Sequence, residues 1–208
     1  MICILNSEIG VASMQRRSNA YHISVLAVLM AIIIIQNVVP FLGYIPLAGL
    51  SITTIHITVI IAAVILGPRD GALVGDIWGI IDWIRAFVAP TSPLAPMVFT
   101  NPLVSVLPRI LIGVVAGWVF IWLNRRHKAE LGLTLAGIAG SLTNTILVLG
   151  LIGTLYQHQA AGFYQVDLSK LMPYLLTIVG TNGVPEAILA GVLTPLIGTA
   201  LLRFKHKS

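Results

Sequence analysis

Arg109 stands in the run Pro108-Arg109-Ile110-Leu111-Ile112, with apolar sequence following it as far as Leu123. A guanidinium in such a setting presents a fork of donors that fits a carboxylate. Asp82 and Arg85 are three residues apart, a spacing that lets them pair along one helix face. Asn144, inside Ser141-Leu142-Thr143-Asn144-Thr145, and Asn182, inside Thr181-Asn182-Gly183-Val184-Pro185-Glu186, set amides into otherwise apolar runs. A buried amide requires hydrogen-bond partners, supplied either by another helix or by a ligand hydroxyl or amide. The chemistry these groups offer is recognition of a small anion with polar groups along its length.

Other chemistries lack their residues. No GxxxxGK[ST] phosphate loop, HExxH or GxSxG occurs. Cys3 is the single cysteine, so a disulfide framework or cysteine zinc cluster is excluded. His56 has no second His or Cys at ligand spacing, so no metal and no cofactor is expected.

The elements that position these groups follow from composition. Of 208 residues, 57% are hydrophobic and 9% charged, against roughly a quarter charged in an ordinary soluble domain. A chain this size cannot bury so much apolar surface by itself, whereas a bilayer solvates it. Six apolar segments are predicted as membrane helices, each satisfying its own backbone hydrogen bonds. They run His22–Pro40, Ser51–Leu66, Ala72–Ala89, Val104–Leu123, Leu133–Leu155 and Leu171–Leu202, the last broken by Gly and Pro. The fold class expected is an all-α integral membrane protein of the cell membrane. Residues 1–20 form an N-terminal tail, with Met14 an alternative start, and residues 21–208 form one six-helix domain.

The cationic residues orient it. Arg16, Arg17, Arg69, Arg125, Arg126, Lys128, Arg203, Lys205 and Lys207 flank alternate ends of the segments, nine of the twelve Lys and Arg. The positive-inside rule places that side, and both termini, in the cytoplasm. Trp118 and Trp122 then read as anchors at the inner interface. The opposite connectors, Phe41–Leu50, Pro90–Pro102 with its four prolines, and Leu155–Lys170, are long enough to cover an outward cavity. Proline stiffens such loops.

On this plan Arg109 lies about 8 Å into segment four from the outer side. A charge at that depth faces a cavity or a partner. Two roles are open to it: anchoring an anionic ligand, or a structural pair with Asp82 or snorkelling outward. The scarcity of charge at this depth favours the anchor. Asp82 with Arg85 reads as a structural pair, Asp76 as a cap or packing residue, and Glu186 as a structural group. Trp78 and Trp83 are candidate pocket walls. Gln36, Asn37 and His56 are weaker candidates in the outer halves of segments one and two. Ala27 and Ala31, four apart, allow close approach of another helix.

The turn Gly67-Pro68-Arg69-Asp70-Gly71-Ala72, followed by Gly75 and Gly79, together with the Ala27-x-x-x-Ala31 pair and the six-helix plan, resembles the S-component family of energy-coupling factor (ECF) vitamin transporters. The resemblance covers nearly the whole chain after Met14. The run Asn101-Pro102-Leu103-Val104-Ser105-Val106-Leu107-Pro108-Arg109 is similar to the pantothenate-type branch. It implies tight vitamin binding near the outer face, beneath the loop between helices one and two, and release inside by toppling. It also implies docking, through Ala27 and Ala31, onto a T subunit that works with two ATPase subunits. Arg109 would pair with the pantothenate carboxylate, and Asn101, Asn144 and Asn182 would serve its amide and hydroxyls. Gln36, Tyr44 and Trp78 complete the candidate set. Two other classes stay open: an S-component for a different vitamin or small anion, and a membrane enzyme using Asp76, Asp82 and Glu186 as acids.

Overall fold

A computed structural model describes the backbone of residues 2–47, 50–90, 93–126 and 128–205, and the side chains within them apart from 2–19, 40–41, 44–52 and 205. The described chain is helical except for one hairpin. Helix α1 spans Ile2–Val38, so the backbone of the expected tail is already helical from Ile2. A short α2, Pro40–Gly43, leads into strands β1, Tyr44–Leu47, and β2, Leu50–Thr53, paired antiparallel with Tyr44 opposite Thr53. Helix α3 begins only at Ile55 and ends at Leu66. This corrects the boundary expected at Ser51: Ser51–Thr53 belong to the hairpin, in register with Pro46, Ile45 and Tyr44 of β1.

Helix α4 runs Pro68–Val88. Gly67 adopts φ +115 between α3 and α4, a conformation glycine reaches without steric cost, and Pro68 then sits at the first helical position. Two four-residue helices follow, α5 (Ala95–Val98) and α6 (Pro102–Ser105), before α7 (Leu107–Asn124). The predicted segment at Val104 is therefore interrupted at Val106, with Pro108 in the first turn of α7. Helix α8 spans Ala129–Leu155, α9 Gln157–Tyr164 and α10 Leu168–Ile178. A π turn, Val179–Gly183, joins α10 to α11, Val184–Lys205. The interruption expected from the Gly and Pro of segment six is this π turn.

Among the described residues, four stretches are long and apolar enough to cross a membrane: Ala20–Val38, Pro102–Asn124, Ala129–Leu155 and Leu168–Phe204. Helix α3 is shorter, and every residue from Ile55 to Ile65 is buried. A helix apolar on all faces belongs in the centre, and α1, α4, α7, α8 and α11 pack around it. Leu29, Ile33, Val74, Trp78, Ile112, Phe120, Leu133 and Ala190 complete that core. A second apolar cluster joins Leu94, Val98, Val104, Ile152, Leu171 and Leu175. Small residues set the spacing between α4 and α7. A Cβ added to Gly75 would overlap the carbonyl of Arg109, and one on Gly113 would overlap the backbone of Gly71. Close backbone approach of this kind is how membrane helices gain packing energy.

Candidate functional site

A cavity of about 200 Å³ opens where α4, α7 and α8 meet the segments around the hairpin and α5. Trp78, Asp82, Arg85 and Ala86 line it from α4, at a spacing that puts all four on one helical face. Arg109 enters from α7, and Asn144 and Val148 from successive turns of α8. Thr53, the last residue of β2, and Ala95 and Phe99 close the remaining sides. The cavity lies between the two apolar clusters, with Trp78 in one and Phe99 and Val148 packed against the other.

Arg109 is the centre of its electrostatics. The residue is 6% exposed. Its Nη2 donates to Asp82 Oδ2 at 3.1 Å and its Nη1 to the Val104 carbonyl at 3.0 Å. The guanidinium lies 5.0 Å from the Trp78 ring centroid and 5.3 Å from that of Phe99, within cation–π range of both. Its Nε has no hydrogen-bond partner among the described residues, and neither has Asn144 Oδ1. Both atoms belong to cavity-lining side chains but are themselves shut off from solvent in this conformation, so a small side-chain rotation would present them to a ligand bearing a carboxylate and hydroxyl or amide groups.

The expected pair of Asp82 with Arg85 is not formed. Asp82 pairs with Arg109 instead, and Arg85 Nη1 donates to the Asn37 carbonyl at 2.8 Å. The reach of Arg109 across the α4–α7 contact, brought close by Gly75, decides this over the local spacing. Arg85 is a cavity wall that sequence reasoning assigned elsewhere. Its position seven residues beyond Trp78 was the available signal. Nothing in the spacing of Thr53, Ala95 or Phe99 marked them.

Of the expected site residues, Arg109, Asn144 and Trp78 come together. Asn101 lies outside the lining: its Oδ1 accepts the Leu103 N–H at 3.0 Å as the cap of α6, and its Nδ2 donates to Tyr156 Oη at 3.0 Å. Asn182 sits in the π turn, its Oδ1 buried without a described partner, beyond the residues that line the cavity. Gln36 Oε1 accepts Thr58 Oγ1 at 2.9 Å. Asn37 Nδ2 bonds the Ile33 carbonyl at 2.9 Å. Tyr44 lies in β1, with its side chain outside the described residues. Trp83 is at the surface, donating to the Thr100 carbonyl at 2.8 Å. His56 is fully buried in α3. Ala27 and Ala31 are both exposed on α1. Asp76 and Glu186 do not line the cavity, so the three carboxylates considered as catalytic acids do not share one site.

Long apolar helices around a charged, solute-sized cavity define a multi-pass membrane protein with a small-molecule pocket. The chain belongs to the family of ECF transporter substrate-specific components, whose model matches residues 22–198. It is 34% identical over 186 residues to a protein of Leuconostoc mesenteroides subsp. mesenteroides named pantothenate transporter PanT, covering 86% of this chain and 91% of that one. It is 33% identical over 207 residues to the pantothenic acid transporter PanT of Lactococcus lactis subsp. cremoris, covering 93% of this chain and all of that one. Family membership points to a transport subunit.

Proposed function

We propose that the chain binds pantothenate in this cavity and presents it to the energising subunits of an ECF transporter. The observation that carries the reading is Arg109: a buried guanidinium, gripped by Asp82 and Val104 and flanked by two aromatic faces, with Nε–H unmatched. The pantothenate carboxylate pairs with Arg109. Its amide and hydroxyls go to Asn144 and, with local adjustment of the π turn, to Asn182. Asn101, Gln36, Tyr44 and Trp78 remain in the proposed binding set, Asn101 acting through the cap that shapes the approach to α7. The names of the two relatives support the substrate.

The chain crosses the membrane six times in this proposal, with both termini cytoplasmic and the hairpin Tyr44–Thr53 over the outer mouth of the cavity. Ala27 and Ala31 dock on a T subunit, two ATPase subunits supply the energy, and the domain topples to release the vitamin inside. The exposure of both alanines on α1 supports the docking face. Titration of the purified chain in detergent with pantothenate, read by calorimetry, tests the substrate. One saturable tight site is expected. Failure of pantothenate to bind the folded chain moves the substrate to another vitamin or small anion.

A further inference from the structure

We infer that Asp82 limits the negative charge the cavity accepts to one, and so selects monoanions over dianions. This rests on the pantothenate reading above. Among the described residues, the charged side chains lining the cavity are Arg85, Arg109 and Asp82. Arg85 is tied to the Asn37 carbonyl, a neutral acceptor that leaves its charge uncancelled. Asp82 is ion-paired to Arg109, with the two side chains 11% and 7% exposed. The lining therefore sums to a single positive charge. Glu186 lies one layer back, bonded to the N–H of Thr53, and does not line the cavity.

A ligand with one carboxylate brings that sum to zero. A second carboxylate leaves a negative charge with no cation in the lining left to balance it, beside the apolar walls of Trp78, Phe99, Ala95 and Val148 and with Thr53 and Asn144 as the neutral polar neighbours. Without Asp82 the same walls would carry two positive charges and accept a dianion. Asp82 therefore does more than hold Arg109 between the two rings. It sets an upper limit on ligand charge, which is a form of selection by repulsion. Isosteric asparagine separates the two roles, since its Oδ1 still accepts from Arg109 Nη2 while its charge is gone.

The test compares pantothenate with an analogue carrying a second carboxylate on the carbon beside the amide nitrogen. Both are titrated by calorimetry into the wild-type chain, Asp82→Asn and Arg85→Gln. Wild type is expected to prefer the monoacid. In Asp82→Asn that preference narrows by about tenfold, the scale of one close-range charge interaction at a partly buried site. Any steric penalty of the extra group is common to both proteins and cancels. Arg85→Gln removes a positive charge and widens the preference by a similar factor. It decides the matter should Asp82→Asn not fold. An unchanged preference in the variants, with wild type binding pantothenate, overturns the role of Asp82 alone. Absence of pantothenate binding to wild type overturns the underlying substrate reading, and this inference with it.

Discussion

Glu186 Oε1 accepts the backbone N–H of Thr53 at 2.7 Å, joining α11 to the end of β2. At the other root of the same loop, Arg85 Nη1 holds the Asn37 carbonyl near the end of α1. The segment that joins α1 to α3 is thus held at both ends by side chains from other helices, Arg85 of α4 and Glu186 of α11. Thr53 and Arg85 also line the cavity, so the ties bear on the ligand as well as on the loop.

Glu186→Ala removes the acceptor and leaves the Thr53 N–H without its partner, at a cost of about 1–3 kcal/mol. Stopped-flow displacement of bound pantothenate should show dissociation about tenfold faster. Glu186→Gln retains an acceptor oxygen and should lie close to wild type. Equal behaviour of the two variants would show that the hydrogen bond is not what retains the loop.

Arg109→Ala removes the proposed anchor and strands the Asp82 carboxylate. Breaking one half of a buried ion pair costs about 3–5 kcal/mol. Lower thermal stability is therefore expected along with loss of pantothenate binding. Adding Asp82→Asn to Arg109→Ala should restore much of the stability and none of the binding. Recovery of both would mean that Arg109 serves only the fold.

Gly75 and Gly150 make a matched pair of substitutions. A methyl group at Gly75 meets the Arg109 carbonyl, whereas one at Gly150 meets open space. Gly75→Ala should push α4 from α7 at a cost of about 1–3 kcal/mol and weaken ligand binding. Gly150→Ala should be neutral or stabilising by up to about 1 kcal/mol, through helix propensity. Thermal unfolding in detergent, with and without pantothenate, reads both.

Leucine at both Ala27 and Ala31 adds bulk to an exposed face of α1 far in sequence from every cavity residue. Pantothenate binding by the isolated chain should survive. Uptake into vesicles by the complete complex should fall to background. Uptake at the wild-type rate would place the docking face elsewhere.

Much of the architecture could be read from charge and hydropathy, because lipid exposure forces long apolar helices and leaves few places for ions. The hairpin could not. Ser51-Ile52-Thr53-Thr54 runs without a break into the apolar Ile55–Leu66, and only the partner strand Tyr44–Leu47 distinguishes it from another helical turn. The site was half legible. Arg109, Asn144 and Trp78 stood out as polar or aromatic groups in apolar runs. Asp82 with Arg85 satisfied a local spacing rule, but Arg109, 27 residues on, won the carboxylate because two helices meet at glycines. Asn101 carried the chemistry of a ligand group and spends it on a helix cap and a tyrosine. Such competition is decided by tertiary distance, which spacing along one helix does not contain.

Helix α3 is twelve residues long, about 18 Å at 1.5 Å per residue, against a hydrocarbon layer of about 30 Å. Residues Ile55–Ile65 are all buried by the surrounding helices, so the length of α3 is set by packing inside the domain, and the hairpin and the cavity that Thr53 borders adjoin its N-terminal end. Further along α3, Val59, Ile60 and Ala62 have no exposed surface. A helix with no exposed surface in its middle acts as a fixed pillar, so the recess is built on a part of the domain that close packing holds still.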